Sequence, residues 1–513
     1  MTQKKSFNEF STEYIKIISI AGKHFCPFSW HAIWLSSKNR FNSPLIHRFE
    51  KLINGEKLSE REVDLLTIVK AMFSIIKTVG IMLVSWLVTR ICLWQKYKKN
   101  ILSLKGKDVY LIKSFAYKHS FGQNKFNDPF FGDVPGYLSD NNKNILTIYA
   151  PIGCMFKSIF ENRKIDKLLP FIYFLKVTDF VWPLIQIYKN YNLKINSSIY
   201  FFEHDVTGEI NTQYKFDSLN DNTYFSLLFY KAFFNLAGQL NVKDYVHTFE
   251  NNPWEKMCIL ALRKRNKNIV IRGYQHSVLP LASLNMFPAE GEYKTCPFPD
   301  KILTVGKVVA DILKSRNAYG DISITPACAV RYKYLESLKF EPSPIKKVLL
   351  VGLEGVVEAA RVAEYVIDQA AQLSSWKIII RTHPALPFEK LDIQNRGKIL
   401  KLDNVFLSNE VRVIDDLKQS GVMLYWGSAV ALEALKMGIP VIHYDFERCL
   451  NYDPLFDFQE LKWTVTHAQE LSTVLNLVES LSEDILEKKR NKAISYLNDY
   501  FYPSTPENLS SFL

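Results

Sequence analysis

The sequence predicts an α/β protein with two sheet-containing domains that follow a helical extension. At 513 residues it is longer than one hydrophobic core usually organises. From residue 108 onward, short β-rich runs alternate with helical stretches, and a charged segment with two prolines interrupts the pattern at 339–347. We therefore predict a helical region over 1–105, Rossmann-like domains over 106–338 and 345–465, and a helical tail over 466–513.

Composition and charge restrict the kinds of molecule that the protein is suited to bind. The chain is 48% hydrophobic and carries 64 Lys and Arg against 52 Asp and Glu, a net charge of +12. This excess suits anionic partners such as nucleotides or an anionic membrane face. The basic residues are dispersed without a recognition motif, so no nucleic acid is expected as a partner. Seven scattered cysteines without a CxxC motif or Cys/His cluster predict reduced thiols and no metal site.

The helical extension contains one strongly apolar stretch, AMFSIIKTVGIMLVSWLVTRICLW at 71–94. Lys77 is its one charged residue up to Thr89, and the basic residues Arg90, Lys96, Lys98 and Lys99 follow. A membrane span needs about 20 apolar residues, so three interpretations stay open: a core helix, a helix lying in the membrane interface, and a true span. We expect a cytoplasmic protein, peripheral to the cytoplasmic face of the inner membrane.

Candidate catalytic residues follow strands of the first domain. The β-rich runs lie at 108–112, 144–151, 197–205, 244–249, 268–276 and 300–306. Glu250 and His276 end two runs joined by one helix, so we expect them at one edge of the sheet. Asp133 lies in a glycine- and proline-rich turn. Glu250, Asp133 and His276, in that order, are candidates for a general base, although Glu250 also suits a helix cap and Asp133 its own turn.

The first candidate loop of the second domain is VLLVGLEG, 348–355. Gly352 and Gly355, with Glu354 between them, allow a tight turn and close approach of a ligand to the backbone. The spacing matches neither the dinucleotide fingerprint nor a Walker loop, and a plain strand-to-helix turn is the alternative.

The second loop is RTHP, directly after the buried run KIII. Arg381 and His383 are suited to a phosphate, and Thr382 offers a hydroxyl. Pro384 fixes its own φ and favours an extended His383, which would hold the imidazole in one direction at the strand end.

The third loop begins the segment YWGSAVALEALKMGIPVIHYD, 425–445. A buried strand ends at Gly427, Ser428 is placed to cap the next helix, and Gly438 is placed to end it. Glu433 is the acidic residue of this apolar helix and needs a partner, either a ribose hydroxyl or a Lys or Arg side chain. Together, the three loops indicate a site for a nucleoside mono- or diphosphate.

The order of these loops over about 345–445 resembles the donor-binding half of GT-B glycosyltransferases, and is especially similar to bacterial surface-polysaccharide transferases. The His-Pro pair resembles the motif of bacterial sialyltransferases and Kdo transferases, which use CMP-activated acidic sugars. The resemblance implies a GT-B-like fold and a metal-independent reaction without a cofactor, since the nucleotide sugar is a substrate. It also implies donor-phosphate contacts by His383 and Ser428, a ribose contact by Glu433, and an acceptor on the first domain.

We therefore expect a bacterial glycosyltransferase that moves a sugar onto a surface polysaccharide, such as capsule or the O-antigen of lipopolysaccharide, or onto a lipid-linked glycan. The run at 245–277 resembles uncharacterised surface-carbohydrate biosynthesis proteins, which fixes neither donor nor acceptor. A sugar-nucleotide 2-epimerase, a polyol-phosphate transferase and a non-catalytic, membrane-associated assembly scaffold remain as alternatives.

Overall fold

The computed structural model describes residues 6–39, 44–122, 124–338, 345–394, 397 and 402–513. The chain divides into two compact units. Unit 1 comprises Met1–Ser277, Ser283–Arg331 and Tyr502–Leu513, and unit 2 comprises Val278–Ala282 and Tyr332–Phe501. Residues 339–344 of the expected linker lie outside the described residues.

Unit 1 is built on a seven-stranded parallel sheet with the strand order β11-β10-β9-β8-β1-β4-β5. Its strands are β1 (Asp108–Ala116), β4 (Asn144–Pro151), β5 (Leu168–Pro170), β8 (Asn241–Thr248), β9 (Val270–Gln275), β10 (Lys301–Thr304) and β11 (Ser323–Pro326). Two small hairpins lie outside the sheet: β2 (Phe121–Gly122) with β3 (Lys125–Phe126), and β6 (Tyr200–Phe201) with β7 (His204–Asp205). The sheet starts in the middle at β1 and grows outward in both directions, which is the Rossmann-like winding that the sequence predicts.

Helices cover this sheet and supply most of the core. They are α1 (Phe7–Gly22), α2 (Pro27–Trp30), α3 (Leu45–Ile53), α4 (Leu65–Leu104), α5 (Val134–Asp140), α6 (Met155–Glu161), α7 (Trp182–Tyr191), α8 (Thr207–Ser218), α9 (Asp221–Ala237), α10 (Pro253–Arg265) and α11 (Lys307–Lys314). The central strand β1 is buried over most of its length, which explains its nearly continuous apolar sequence.

The N-terminal helices belong to unit 1 and are tied to it by buried polar contacts. Lys38 Nζ donates to both carboxylate oxygens of Glu292, at 2.8 and 2.7 Å, and the Lys38 side chain is 0% exposed. The backbone N–H of Leu35 donates to the buried carboxylate of Asp217 at 2.6 Å. Because both contacts join residues far apart in sequence, the extension folds as part of the first sheet's core.

Helix α4 extends beyond the predicted apolar stretch at both ends, to 40 residues. It is long and apolar enough to cross a membrane by length and composition, but only 17% of its most apolar window is buried. Its buried residues form one stripe: Ile75, Met82, Ser85, Thr89, Leu93, Asn100 and Leu104. The helix therefore packs against the core along one stripe and is not enclosed by it, which differs from an ordinary core helix.

The end of the chain returns to unit 1 as one short helix, α17 (Pro506–Leu509). The backbone N–H of Tyr502 donates to Val305, and that of Ala329 donates to Tyr502. Tyr110 on β1 donates its hydroxyl to the carbonyl of Phe512, whose side chain is fully buried. The last residues are therefore part of the first core.

Unit 2 contains a six-stranded parallel sheet with the order β14-β13-β12-β15-β16-β17. Its strands are β12 (Val348–Gly352), β13 (Lys377–Arg381), β14 (Val405–Leu407), β15 (Val422–Tyr425), β16 (Val441–Asp445) and β17 (Lys462–Thr466). Its helices are α12 (Ala359–Gln369), α13 (Val413–Gln419), α14 (Val430–Lys436), α15 (Leu471–Glu479) and α16 (Glu483–Tyr500). This is a second Rossmann-like sheet, so the predicted fold class is confirmed.

The differences from the predicted strands lie at the sheet edges. Strands β5, β11 and β17 are absent from the predicted runs. β5 is the three-residue start of the apolar run LLPFIYFL, which contains a proline and continues as a helical turn, and β11 and β17 are short and mixed in polarity. The predicted strand at 197–205 forms only the small β6–β7 hairpin, outside the main sheet.

The Lys38–Glu292 pair allows a test of how the extension is anchored. Lys38→Ala would leave Glu292 buried without its cation, so we expect a loss of about 3–5 kcal/mol in the free energy of unfolding, measured by urea denaturation. Lys16→Ala is the matched control, because its pair with Glu13 on α1 is exposed and worth at most about 1 kcal/mol. Equal losses in the two variants would show that the buried pair does not anchor the extension.

Candidate functional site

Two of the three candidate loops of unit 2 lie where its strand order reverses. Strands β12 and β15 are neighbours, and Gly352 at the end of β12 pairs in register with Tyr425 at the end of β15. The chain leaves these strands in opposite directions along the sheet, which opens a crevice at their carboxyl ends. The Gly352–Gly355 loop and the Gly427–Ser428 turn border this crevice.

The second loop, RTHP, contacts the first through His383. A Cβ atom added to Gly355 would lie 2.6 Å from Nδ1 of His383, so only glycine leaves room for the imidazole at this distance. The backbone N–H of Ala385 donates to the same Nδ1 at 3.1 Å. Nδ1 therefore acts as the acceptor, and the proton of the neutral ring lies on Nε2. The His383 side chain is exposed, which leaves that N–H accessible to a ligand.

Glu354 joins the first loop to the third. Its Oε1 accepts a hydrogen bond of 2.7 Å from the backbone N–H of Gly427. The Ser428 hydroxyl accepts a weaker bond, 3.3 Å, from the backbone N–H of Val430, the first residue of α14. Gly438 ends this helix with φ of +72°, as the sequence predicts. The three loops are thus held together by direct contacts.

Arg381 is occupied by protein groups. Its Nη1 lies 2.5 Å from the buried carboxylate of Asp416 and 3.0 Å from the carbonyl oxygen of Glu410, and its Nη2 donates to Val411 at 3.2 Å. These bonds fix the loop after β14, so the structure gives Arg381 a supporting position beside the site. Of its two neighbours in the motif, Thr382 is half-buried and Pro384 is exposed.

Glu433 is buried on α14, with 8% of its surface exposed. Burial raises the pKa of its carboxyl group, while a hydrogen bond from Tyr334 and the charge of Arg381 oppose the rise. Within the described residues no lysine or arginine pairs with it, and Oε2 has no hydrogen-bond partner. The salt-bridge alternative is therefore not seen in the part of unit 2 that the structure describes.

A cavity of about 360 Å³ lies between α12 and the carboxyl end of β16. Arg361, Tyr365, Tyr444, Phe446 and His467 contribute to its wall. Next to it, Glu447 has a left-handed backbone with φ of +53°, and its N–H donates to the Asp445 carboxylate at 2.8 Å. Sequence reasoning missed this turn, although an Asp-Phe-Glu run after a buried strand was a visible signal.

Glu250 and His276 meet in unit 1, as their positions after neighbouring strands predict. His276 Nε2 lies 3.9 Å from Glu250 Oε1, and their side chains are 4% and 40% exposed. Burial lowers the pKa of His276 to about 4, although the Glu250 charge opposes this shift. At neutral pH the imidazole is therefore uncharged, so the two side chains do not form an ion pair.

The turn that carries Glu250 is fixed by four polar contacts. Both Glu255 carboxylate oxygens accept from the Glu250 backbone N–H at 3.1 Å, and Asn285 donates to the Glu250 carbonyl oxygen at 2.7 Å. Asn252 donates to Glu250 Oε2 at 3.2 Å, and Asn251, with φ of +57°, donates to Asn285. The half-exposed Glu250 carboxylate thus lies on a rigid turn, beside the point where β1 and β8 reverse the strand order.

A buried charge cluster lies behind this turn. Lys113 on β1 is fully buried, with Nζ 3.0 Å from the ring centroid of Phe115 and 3.3 Å from that of Trp254. Burial holds the pKa of Lys113 well below its ordinary value and raises that of Glu255 well above it. Both shifts favour neutral groups. A lysine inside an apolar strand was a signal that sequence reasoning did not use.

The segment that contains Asp133 passes close to His276. Phe130 contacts the His276 ring, with centroids 4.8 Å apart. Asp128, which sequence reasoning missed, is buried, and its Oδ1 accepts from Ser114 at 2.7 Å and from two backbone N–H groups. Asp133 itself is exposed and lines a separate open cavity of about 850 Å³ with Asp128. No direct contact joins Asp133 to Glu250 or His276 among the described residues.

Comparison with known proteins gives structural similarity only. No family model and no curated protein matches the sequence. The chain is similar to UDP-GlcNAc 2-epimerase from Neisseria meningitidis bound to UDP-GlcNAc, with 10% identity and a TM-score of 0.42 over 76% of this chain and 99% of that one. It is also similar to the glycotransferase of kitacinnamycin, with 12% identity and a TM-score of 0.42 over 79% and 99% of the chains. It is similar to Acinetobacter baumannii MurG as well, with 11% identity and a TM-score of 0.40 over 79% of this chain and 98% of that one. Transferases and epimerases both occur in this set, and the likeness concerns the fold alone.

The low pKa of His276 predicts a specific pH dependence of stability. The imidazole of His276 has its ordinary pKa near 6.5 in the unfolded chain and a pKa of about 4 in the folded protein. Between these two pH values the unfolded state therefore binds a proton that the folded state does not bind. Between pH 7 and pH 5, stability should fall by about 2 kcal/mol through this residue, and it should not change through it above pH 7. Urea unfolding of His276→Gln at both pH values should show a smaller fall than the unchanged protein; an identical fall would contradict the assignment.

Proposed function

We propose that the protein is a glycosyltransferase of the GT-B type that uses a nucleotide-sugar donor. The observation that carries the proposal is the contact among three loops, two at the strand-order reversal of unit 2 and the third, with the exposed His383, on the neighbouring strand. Open α/β sheets bind their ligands at such a reversal. An imidazole N–H and the hydroxyl of Ser428 are both suited to the anionic leaving group of a nucleotide sugar.

His383 and Ser428 are the proposed contacts to the donor phosphate. The Ala385 N–H donates to Nδ1 of the imidazole, and Gly355 lies next to the same atom, so the Nε2–H is left for a ligand. Pre-organised donors stabilise the charge that develops on the departing phosphate without rearrangement during the reaction. Arg381 supports this loop through Asp416.

Glu433 is the proposed partner of the donor ribose. Its buried Oε2 lacks a protein partner among the described residues, and a buried acceptor without a hydrogen bond is costly. A ribose hydroxyl would supply the missing donor. The raised pKa of Glu433 should fall once such a donor is bound, because a hydrogen bond to the carboxylate stabilises its charged form.

Glu250 is the proposed general base, acting on an acceptor hydroxyl bound by unit 1. Its carboxylate is accessible, it lies on a turn that Glu255 and Asn285 hold in place, and neutral His276 lies beside it. A neutral imidazole can accept or relay a proton, whereas an imidazolium would hold the carboxylate in an ion pair. We propose a surface polysaccharide, lipopolysaccharide or lipid-linked glycan as the acceptor, and a CMP-activated acidic sugar as the donor, on the resemblance of the His-Pro motif.

A nucleotide panel tests donor binding. The full-length protein is heated with CMP, UDP, GDP, CDP or TDP at millimolar concentration, and a nucleotide that binds the folded state must raise the melting temperature. We expect at least one nucleotide to raise the melting temperature, and CMP to raise it most.

His383→Ala should weaken the binding of that nucleotide about tenfold to hundredfold, because one hydrogen bond to a charged group is lost. The melting temperature of the free protein should not fall, because the position is exposed.

Gly355→Ala tests the same site by a second, independent substitution. Its Cβ would displace the His383 ring, so this variant should weaken nucleotide binding in the same direction. Gly208→Ala is the control, since a Cβ at that position in α8 meets no atom within 4 Å. Unchanged affinity in both site variants, with a lower melting temperature for His383→Ala, would show that the histidine is structural.

Glu250→Gln separates catalysis from donor binding. Loss of a general base typically costs about 10²–10⁴-fold in rate, whereas nucleotide affinity in unit 2 should stay unchanged. The measurement is nucleotide release from the matching nucleotide sugar, with a lipid-linked glycan fraction as the acceptor source. If NMR instead shows inversion at C2 of the sugar without any acceptor, the protein is an epimerase and the transferase proposal fails.

A further inference from the structure

An extended apolar face covers one side of unit 1. Its centre is a stripe along α4, where seven large apolar side chains are 46% to 71% exposed: Phe73, Ile76, Val84, Leu87, Ile91, Trp94 and Leu102. At 100° per residue these positions lie opposite the buried stripe of the same helix. Helix α4 is therefore apolar on two opposite faces, and its protein core covers only one of them.

Neighbouring helices extend this face. Phe156 and Phe160 of α6, and Ile185 and Tyr188 of α7, are 44% to 73% exposed. Lys96 on α4 donates to Asn162 at the end of α6, which places α6 beside the second half of α4. Large apolar side chains that are exposed together on neighbouring helices mark a surface for a partner or a membrane.

A cavity of about 390 Å³ opens into this face between α4 and α7. Its wall is almost entirely apolar, with exposed Ile76 and Tyr188 at the rim and buried Ile75, Ile187 and Leu219 deeper inside. The shape and chemistry suit a hydrocarbon chain, since nothing in the wall except the tyrosine hydroxyls requires a polar partner.

The charges around the face indicate an anionic partner. The 40 residues of α4 include six lysines and arginines and no aspartate or glutamate. Exposed cations on or beside these helices are Lys70, Lys77, Lys98, Lys157, Arg163 and Lys164. Glu161 is the one acidic residue of α4, α6, α7 and 162–164, and Asp166, just beyond, pairs with Lys99 of α4. Lys98 Nζ lies 4.7 Å from the Trp94 ring centroid, a pairing that suits a membrane interface.

The packing of α4 decides how it meets a bilayer. The helix is about 60 Å long, twice the thickness of about 30 Å of a hydrocarbon core. Ile75, Met82, Leu93 and Leu104 belong to the main core of unit 1, so protein covers α4 along most of its length. A spanning orientation would carry this core into the bilayer with the helix.

We propose that the face formed by α4, α6 and α7 docks on an anionic lipid bilayer, with α4 lying in the plane of the interface and a lipid chain entering the α4–α7 cavity. The exposed apolar side chains enter the acyl region, and the border lysines and arginines reach the headgroups. This inference does not depend on the transferase proposal, because the face is defined without reference to either ligand site.

The test uses the full-length protein and preformed vesicles, either of phosphatidylcholine alone or with one quarter phosphatidylglycerol. We expect co-sedimentation with the mixed vesicles, weaker binding to the neutral ones, and partial release by salt. The double substitution Val84→Glu and Ile91→Glu should weaken binding at least tenfold, since two exposed apolar groups lose their transfer energy. Leu477→Glu on α15 is the matched control, because this leucine is 51% exposed on unit 2.

Two results would overturn the proposal. One is vesicle binding that is absent, or equal in the double variant and the control. The other is a lipid-free dimer that the double variant dissociates, measured by sedimentation velocity, because the face would then be an interface between two copies. Melting curves show whether each variant is folded. The comparison of the two vesicle types uses the unchanged protein, so it tests the proposal even if a variant does not fold.

Discussion

The reversal of strand order within each parallel sheet is the constraint on which both candidate sites depend. In unit 2, β12 and β15 are hydrogen-bonded neighbours, yet β13 and β14 lie to one side and β16 and β17 to the other. The connections leave in opposite directions, so the backbone cannot fill the crevice between them. Backbone N–H groups and side chains at the strand ends are close together beside this crevice and accessible to a ligand. The polar loops therefore lie around it.

The convergence of the loops was predictable from the sequence because it follows from topology. Strand runs that end at Gly352, Arg381 and Gly427 must place their following residues along one edge, whatever the side-chain details. The Glu250–His276 proximity follows for the same reason, since one helix joins neighbouring parallel strands. In both cases, local patterns and the rule for parallel crossovers were sufficient.

The roles of individual side chains were less predictable, because they depend on partners that lie far away in sequence. RTHP suggests a free guanidinium, but Arg381 pairs with Asp416, 35 residues later. The burial of Lys113 depends on Trp254, from a helix more than a hundred residues away. Hydropathy patterns show that α4 is apolar, but they do not show which of its faces the core covers.

The return of the chain end to unit 1 affects the order in which the protein acquires its structure. The C-terminal residues supply Phe512 to the first core and hydrogen bonds to Val305, Ala329 and Tyr110. During synthesis, the first unit is therefore incomplete until the whole second unit has left the ribosome. Unit 2 can finish folding before unit 1, although it is made later. Until residues 502–513 have been made, the pocket that Phe512 fills in the first core stays open to solvent.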